Sequence, residues 1–116
     1  MVEKRKFIRL NAAIGVSYKL IKKHKRQIEL LSLARDIGGG GIRILAKEDL
    51  RPGDLLKIEI EIPHLSERVE ATGEVIWFSK TKEKGHEHKE AGVRFRDMDS
   101  TDLHKILEYV HSIGIG

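Results

Sequence analysis

Hydrophobic and polar positions alternate along most of the chain, which is the period of a strand with one face buried. Ile14, Val16, Tyr18 and Leu20 alternate with Gly15, Ser17 and Lys19. A basic turn, 22–26, leads to Ile28, Leu30, Ser32 and Ala34, where Leu31 and Leu33 make a strand apolar on both sides. Ile42–Leu45 is a short strand. Leu56, Ile58, Ile60 and Ile62 alternate with Lys57, Glu59 and Glu61 until Pro63 ends the run. Val69, Ala71, Gly73, Val75 and Trp77 form the next inward set, and Ala91, Val93 and Phe95 the last. The polar stretch 80–89 reads as the loop between those two strands. Arg51-Pro-Gly-Asp54 is a turn signal, because proline presets one dihedral and glycine accepts a positive one.

The period then changes. Asp99 or Ser100 suits a helix cap, Asp102 suits the positive end of the helix dipole, and Leu103, Ile106, Leu107 and Val110 make one apolar stripe ending at Gly114. Six short strands and one amphipathic helix predict an all-β fold with a C-terminal helix, built as a small antiparallel barrel or curved sheet with the helix as its lid. The expected organisation is a single domain over 1–116, with a mobile arm at 1–10, the barrel at 12–97 and the helix at 99–113.

Composition narrows the function classes. An apolar share of 40% is too high for a disordered chain, and no apolar run reaches the ~18 residues of a membrane span. The basic N-terminus lacks the apolar stretch of a secretory signal, and the absence of cysteine leaves no disulfide framework, so a cytoplasmic protein is expected. Charge is uneven: residues 1–26 carry nine Lys/Arg against Glu3 alone, while the remaining 90 carry 13 basic and 17 acidic residues. A basic arm on a mildly acidic body points to an anionic partner. The serines have no nucleophile-elbow motif, and Glu59 and Glu61 alternate with apolar residues like the wet side of a strand, so no enzyme is expected. His86 and His88 lack a clear third metal ligand, and no Lys-Ser/Thr pair follows the glycines to make a phosphate loop of the Walker type.

Two segments remain. Arg5 and Arg9 are four apart, so they share a side in a helix or in an extended chain, and two guanidiniums on one side can grip a phosphate or stack on a flat base. Asp36-Ile-Gly-Gly-Gly-Gly41 offers a bare backbone that a ligand can approach closely, beside a carboxylate suited to the N1–H and N2–H donors of a guanine edge. In order and spacing these segments resemble the PilZ domain family, receptors of the bacterial second messenger cyclic di-GMP. Its mark is Arg-x-x-x-Arg followed some tens of residues on by Asp/Asn-x-Ser-x-x-Gly. The resemblance extends to Arg51-Pro-Gly-Asp54, Gly73-Glu-Val-Ile-Trp77 and Ala91-Gly-Val-Arg-Phe95.

The resemblance implies a six-stranded antiparallel barrel and a cyclic di-GMP site made of Arg5, Arg9, Asp36, Gly38 and Gly41. Lys4, Arg35 and Arg43 are possible additions. It implies a receptor with cyclic di-GMP as ligand and no cofactor, whose arm changes conformation on binding and signals to a protein partner in motility or exopolysaccharide machinery. One position departs, since the motif's serine is Gly38 here. A neutral hydrogen bond contributes roughly 0.5–1.5 kcal/mol, so its loss weakens binding by about tenfold at most. The alternatives are a PilZ-like interaction module that no longer binds nucleotide, and a small basic barrel for single-stranded nucleic acid. The latter is disfavoured because Tyr18, Trp77 and Phe95 fall in the inward register and Tyr109 on the helix, leaving Phe7 and Phe78 as a stacking surface.

Overall fold

The computed structural model describes residues 10–21, 30–62 and 68–115. The basic turn at 22–26 and the arm at 1–9 lie outside the described residues. The described chain forms six strands, β1 (Leu10–Leu20), β2 (Leu30–Ile37), β3 (Gly41–Leu45), β4 (Leu55–Glu61), β5 (Arg68–Glu83) and β6 (His86–Asp97), followed by helix α1 (Ser100–Ile115). They close into an antiparallel barrel in the order β1-β2-β3-β6-β5-β4, with β1 also pairing β4. Closure gives every strand two neighbours, and the β5–β6 ribbon beyond Ser79 and Glu90 projects from the barrel.

The inward positions are those the alternation marks. Ile14, Val16, Tyr18, Ile42, Ile44, Leu56, Ile58, Ile60, Val69, Val75 and Val93 are buried. Full burial of such a side chain contributes about 1.5–3 kcal/mol. Tyr18 is the largest of them, and the Lys47 backbone N–H donates to its hydroxyl at 2.8 Å. Burial pushes the Tyr18 phenol up from its ordinary value, against the opposing pull of that hydrogen bond. The Ser32 hydroxyl, also on the inward register, donates to the Leu45 carbonyl.

Turn chemistry behaves as expected at Arg51-Pro-Gly-Asp54. Gly53 has φ 95°, Asp54 N–H donates to the Arg51 carbonyl at 3.0 Å, and the Asp54 carboxylate accepts from Arg51 N–H at 2.9 Å. In α1, the Asp99 carboxylate caps Thr101 N–H at 3.2 Å. The Asp102 carboxylate accepts the Glu70 N–H at 3.2 Å, fastening the helix start to β5. Ile106 and Val110 enter the core, whereas Leu107 is 36% exposed at the rim.

Three expectations are corrected. The stretch 80–89 is not a loop: β5 and β6 stay paired to Glu83↔His86 and turn through Lys84 (φ 51°) and Gly85 (φ 79°). Positive φ at both central residues is the two-residue turn that matches strand twist. Both sides of this ribbon are wet, so no alternation exists to mark it. Second, Trp77 faces outward, 42% exposed, and Phe78 packs on the core instead. An irregularity between Val75 and Trp77 shifts the register by one, and a one-residue slip exchanges the two sides of a strand. Third, α1 runs through Gly114 to Ile115.

Candidate functional site

Asp36 sits near the end of β2, where a register shift between Ala34 and Asp36 puts Arg35 at a bulge. Residues directly opposite on antiparallel strands share a side. Asp36 stands opposite Asn11 on β1 and Arg43 on β3, Arg43 opposite Gly92 on β6, and Gly92 opposite Trp77 on β5. Ile37 and Ile42, the next pair, are buried inward, so the row from Asp36 to Trp77 lies on the outer wall. In the adjacent row Gly41 stands opposite Arg94, and Arg94 opposite Glu74.

The connection from β2 to β3 is tight. Gly38 N–H donates to the Gly41 carbonyl at 3.0 Å, and the Gly40 carbonyl accepts the Phe95 N–H at 3.0 Å, pinning the turn to β6. A Cβ on Gly41 would fall 2.3 Å from the Val93 carbonyl oxygen, so the close approach of β3 to β6 requires glycine there. A Cβ on Gly92 would fall 2.1 Å from Trp77 Nε1, so the indole lies where a side chain would otherwise stand. The Gly38–Gly41 turn is thus without side chains, with Asp36, Arg43 and Arg94 beside it in the wall, while the indole of Trp77 covers Gly92.

Two arginines supply its positive charge. Arg43 Nε lies 3.5 Å from Glu90 Oε2, and this buried nitrogen has no hydrogen-bond partner among the described residues. Arg94 is exposed, while Arg96 rather than Arg94 takes Glu74, at 3.2 Å. Such a surface can accept an anion over Arg43 and Arg94 and hydrogen-bond donors at Asp36.

Of the residues the sequence nominates, Asp36, Gly38, Gly41 and Arg43 therefore come together at one end of the β2–β3 hairpin. Arg35 is on the same strand. Lys4, Arg5 and Arg9 lie outside the described residues. Trp77 and Arg94 belong to the same wall but were not nominated. The signal for Trp77 is the pair it makes across strands with Gly92, which alternation within one strand does not reveal. His86 and His88 are exposed on the β5–β6 ribbon, and among the described residues no group of three His, Cys, Asp or Glu is placed to hold a metal. Among the described residues no helix is long and apolar enough to cross a membrane.

Comparison with known proteins is consistent with this architecture. The Bacillus subtilis inhibitor of motility MotI/DgrA aligns with TM-score 0.79 and 17% identity, over 98% of this chain and 53% of that one. The PilZ domain of YcgR from Escherichia coli, solved with c-di-GMP, aligns with TM-score 0.71 and 16% identity over 97% of this chain and 93% of that domain. The MrkH–c-di-GMP complex of K. pneumonia aligns with TM-score 0.76 and 16% identity, over 99% of this chain and 54% of that one. The chain thus spans about half the length of MotI/DgrA and MrkH. No curated protein matches in sequence. The family model described as PilZ domain matches residues 3–112, nearly the whole length, and the chain belongs to the PilZ domain family.

Proposed function

We propose that this chain is a cytoplasmic cyclic di-GMP receptor domain that acts by binding rather than catalysis. The observation that carries the proposal is the outward placement of Asp36 beside the bare Gly38–Gly41 turn, in a chain that also carries Arg5 and Arg9. Membership of the PilZ family supports it, as do the ligands of two neighbours with the same fold, YcgR and MrkH.

In this reading Asp36 accepts two hydrogen bonds from a guanine edge. The bare turn allows the ring to lie against backbone, and the guanidiniums of Arg5 and Arg9 close on phosphate and base from the arm. Charge-assisted hydrogen bonds of this kind contribute about 1.5–3 kcal/mol each. Neutralising Arg5 and Arg9 removes their mutual repulsion with Lys4 and Lys6, which offsets the ~1–2 kcal/mol per residue cost of ordering backbone. The arm is thereby the output element: it orders over the ligand and presents a new surface to a protein partner.

Isothermal titration calorimetry with cyclic di-GMP, in the presence of excess single-stranded oligonucleotide, tests the reading. Saturable heat unaffected by the oligonucleotide is expected. An oligonucleotide complex that cyclic di-GMP does not displace would favour the nucleic-acid reading. No heat with either would leave an interaction module, for which the Gly38 departure is the supporting observation.

A further inference from the structure

Strand β2 is apolar on both sides. Ala34 points into the core, whereas Leu31 and Leu33 stand on the outer wall, 75% and 45% exposed. One exposed leucine is ordinary, but two on the same side of one strand, beside a groove, are not. Opposite them on β1 stand Ser17 and Gly15, and across β1 the carboxylate of Glu59 on β4. These small residues make a floor: Ser17 belongs to the outward row yet is only 6% exposed. A Cβ on Gly15 would come 3.0 Å from Glu61 Oε2, so the glycine lets that carboxylate lean over β1. The groove so formed, between Leu31 on one flank and Glu59 and Glu61 on the other, has a volume of about 220 Å³.

The carboxylate flank carries net negative charge. Arg68 on β5 lies 3.0 Å from Glu59 and 3.2 Å from Glu61, one guanidinium for two carboxylates. Glu70 stands directly opposite Glu59, and like charges facing across strands cost stability. A cation seated on this flank would relieve both. The form of the occupant follows from the pairing. β1 is already bonded to β2 on one side and β4 on the other, so no further strand can be added along the groove. From β2 to β4 is two strand spacings, about 10 Å, which is the width of a helix with its side chains. Helix α1 of a second copy does not match, because Glu108 on its exposed side pairs with His104 at 2.9 Å and Lys105 is held 3.7 Å from Asp102.

We propose that this groove docks a basic amphipathic helix of a partner protein. One aliphatic side chain of that helix sits over Gly15 and Ser17 against Leu31, and a lysine or arginine meets Glu59 and Glu61. The leucines begin about 10 Å along β2 from Asp36, so this surface is separate from the nucleotide site and stands without ligand.

The test uses the whole chain, titrated with a synthetic peptide of about 15 residues, long enough to hold a helix, with leucines along one stripe and lysines beside it. The same peptide with glutamate for every lysine is the control. Amide shifts at Gly15, Ser17 and Leu31 should follow a saturation curve with the lysine peptide and stay still with the glutamate one. Leu31→Ser should weaken binding about tenfold, and Gly15→Val, which fills the floor, at least as much. Glu61→Lys should weaken the lysine peptide and admit the glutamate one. Leu31 is exposed, and at Gly15 only the flexible end of Glu61 must yield to a residue that suits a strand, so both variants should melt like the wild type. Unmoved amides at high lysine peptide, equal binding of the two peptides, or wild-type affinity in Leu31→Ser would overturn the proposal. Self-association abolished by Leu31→Ser would give the groove to a second copy. Shifts at Ser17 and Leu31 in Ile8→Asp without peptide would give it to the chain's own arm. Either result overturns the assignment to a partner. Should Gly15→Val fail to fold, Leu31→Ser and the charge exchange at Glu61 decide the matter.

Discussion

The β2–β3 and β5–β6 hairpins both turn tightly but present different chemistry at their ends. The β5–β6 ribbon is exposed from Ser79 to His88, and a cluster of ion pairs stands at its base. Lys89 lies 3.1 Å from Asp49 and 3.5 Å from Glu87, and Lys80 lies 3.8 Å from Asp49 and 3.7 Å from Glu87. The hydrogen bond between Asp49 and Lys89 holds that carboxyl below its usual range and that ammonium above its own. The β2–β3 hairpin instead has buried glycines, and beside them Arg43 keeps a buried Nε–H without a hydrogen-bond partner among the described residues. The ribbon presents charged side chains, whereas the β2–β3 turn presents backbone beside a guanidinium whose Nε faces Glu90 at 3.5 Å without a hydrogen bond.

The largest effect should come from breaking the bare turn. Gly41→Val drives a branched side chain into the Val93 carbonyl, and backbone cannot yield as a flexible side chain does. We expect a loss of about 3 kcal/mol or more of stability, read as a lower chemical-denaturation midpoint. No change in that midpoint would mean β3 does not approach β6 this closely.

Next, Arg5→Ala or Arg9→Ala should weaken cyclic di-GMP binding at least tenfold while leaving the free protein's thermal midpoint unmoved, because charge-assisted bonds to the ligand are lost. Calorimetry and a melting curve on each variant check both halves, and wild-type affinity in either would remove the arm from the site. Smaller still is Gly38→Ser, which restores the motif hydroxyl. If serine fits the backbone there, binding should tighten by a few-fold, aided by reduced freedom in the unfolded chain. A variant that binds no better and melts earlier would make the departure structural.

On the opposite hairpin, Lys84 has φ 51°, a conformation asparagine tolerates better than lysine. Lys84→Asn should raise the thermal midpoint by a degree or two, about 0.5 kcal/mol in stability, and leave cyclic di-GMP affinity unchanged. A change in affinity would extend the site to the ribbon.

What the sequence disclosed follows the same division. In β1, β3, β4 and the first half of β5 one side meets the core and the other meets water, so period two is strong and the inward residues from Ile14 to Val75 are legible. Along Ser79–His88 both sides meet water, and the stretch looks like a loop although it is continuously paired. Trp77 was misplaced because a bulge reverses parity without leaving a trace in composition. Asp36 and the glycines were legible as a motif, but the reason for Gly41 was not. It lies in a carbonyl on β6, more than fifty residues away in sequence. The pairing of Trp77 with Gly92 is equally non-local, though each residue stands in a segment that carries the family resemblance.

The contrast between the hairpins is tested most directly by mapping amide chemical shifts during titration with cyclic di-GMP. The account predicts large shifts at Asp36–Gly41, with Arg43 and Gly92 following, and little change at Thr81–His88. Shifts centred on the β5–β6 ribbon, with Asp36–Gly41 unmoved at saturation, would contradict it.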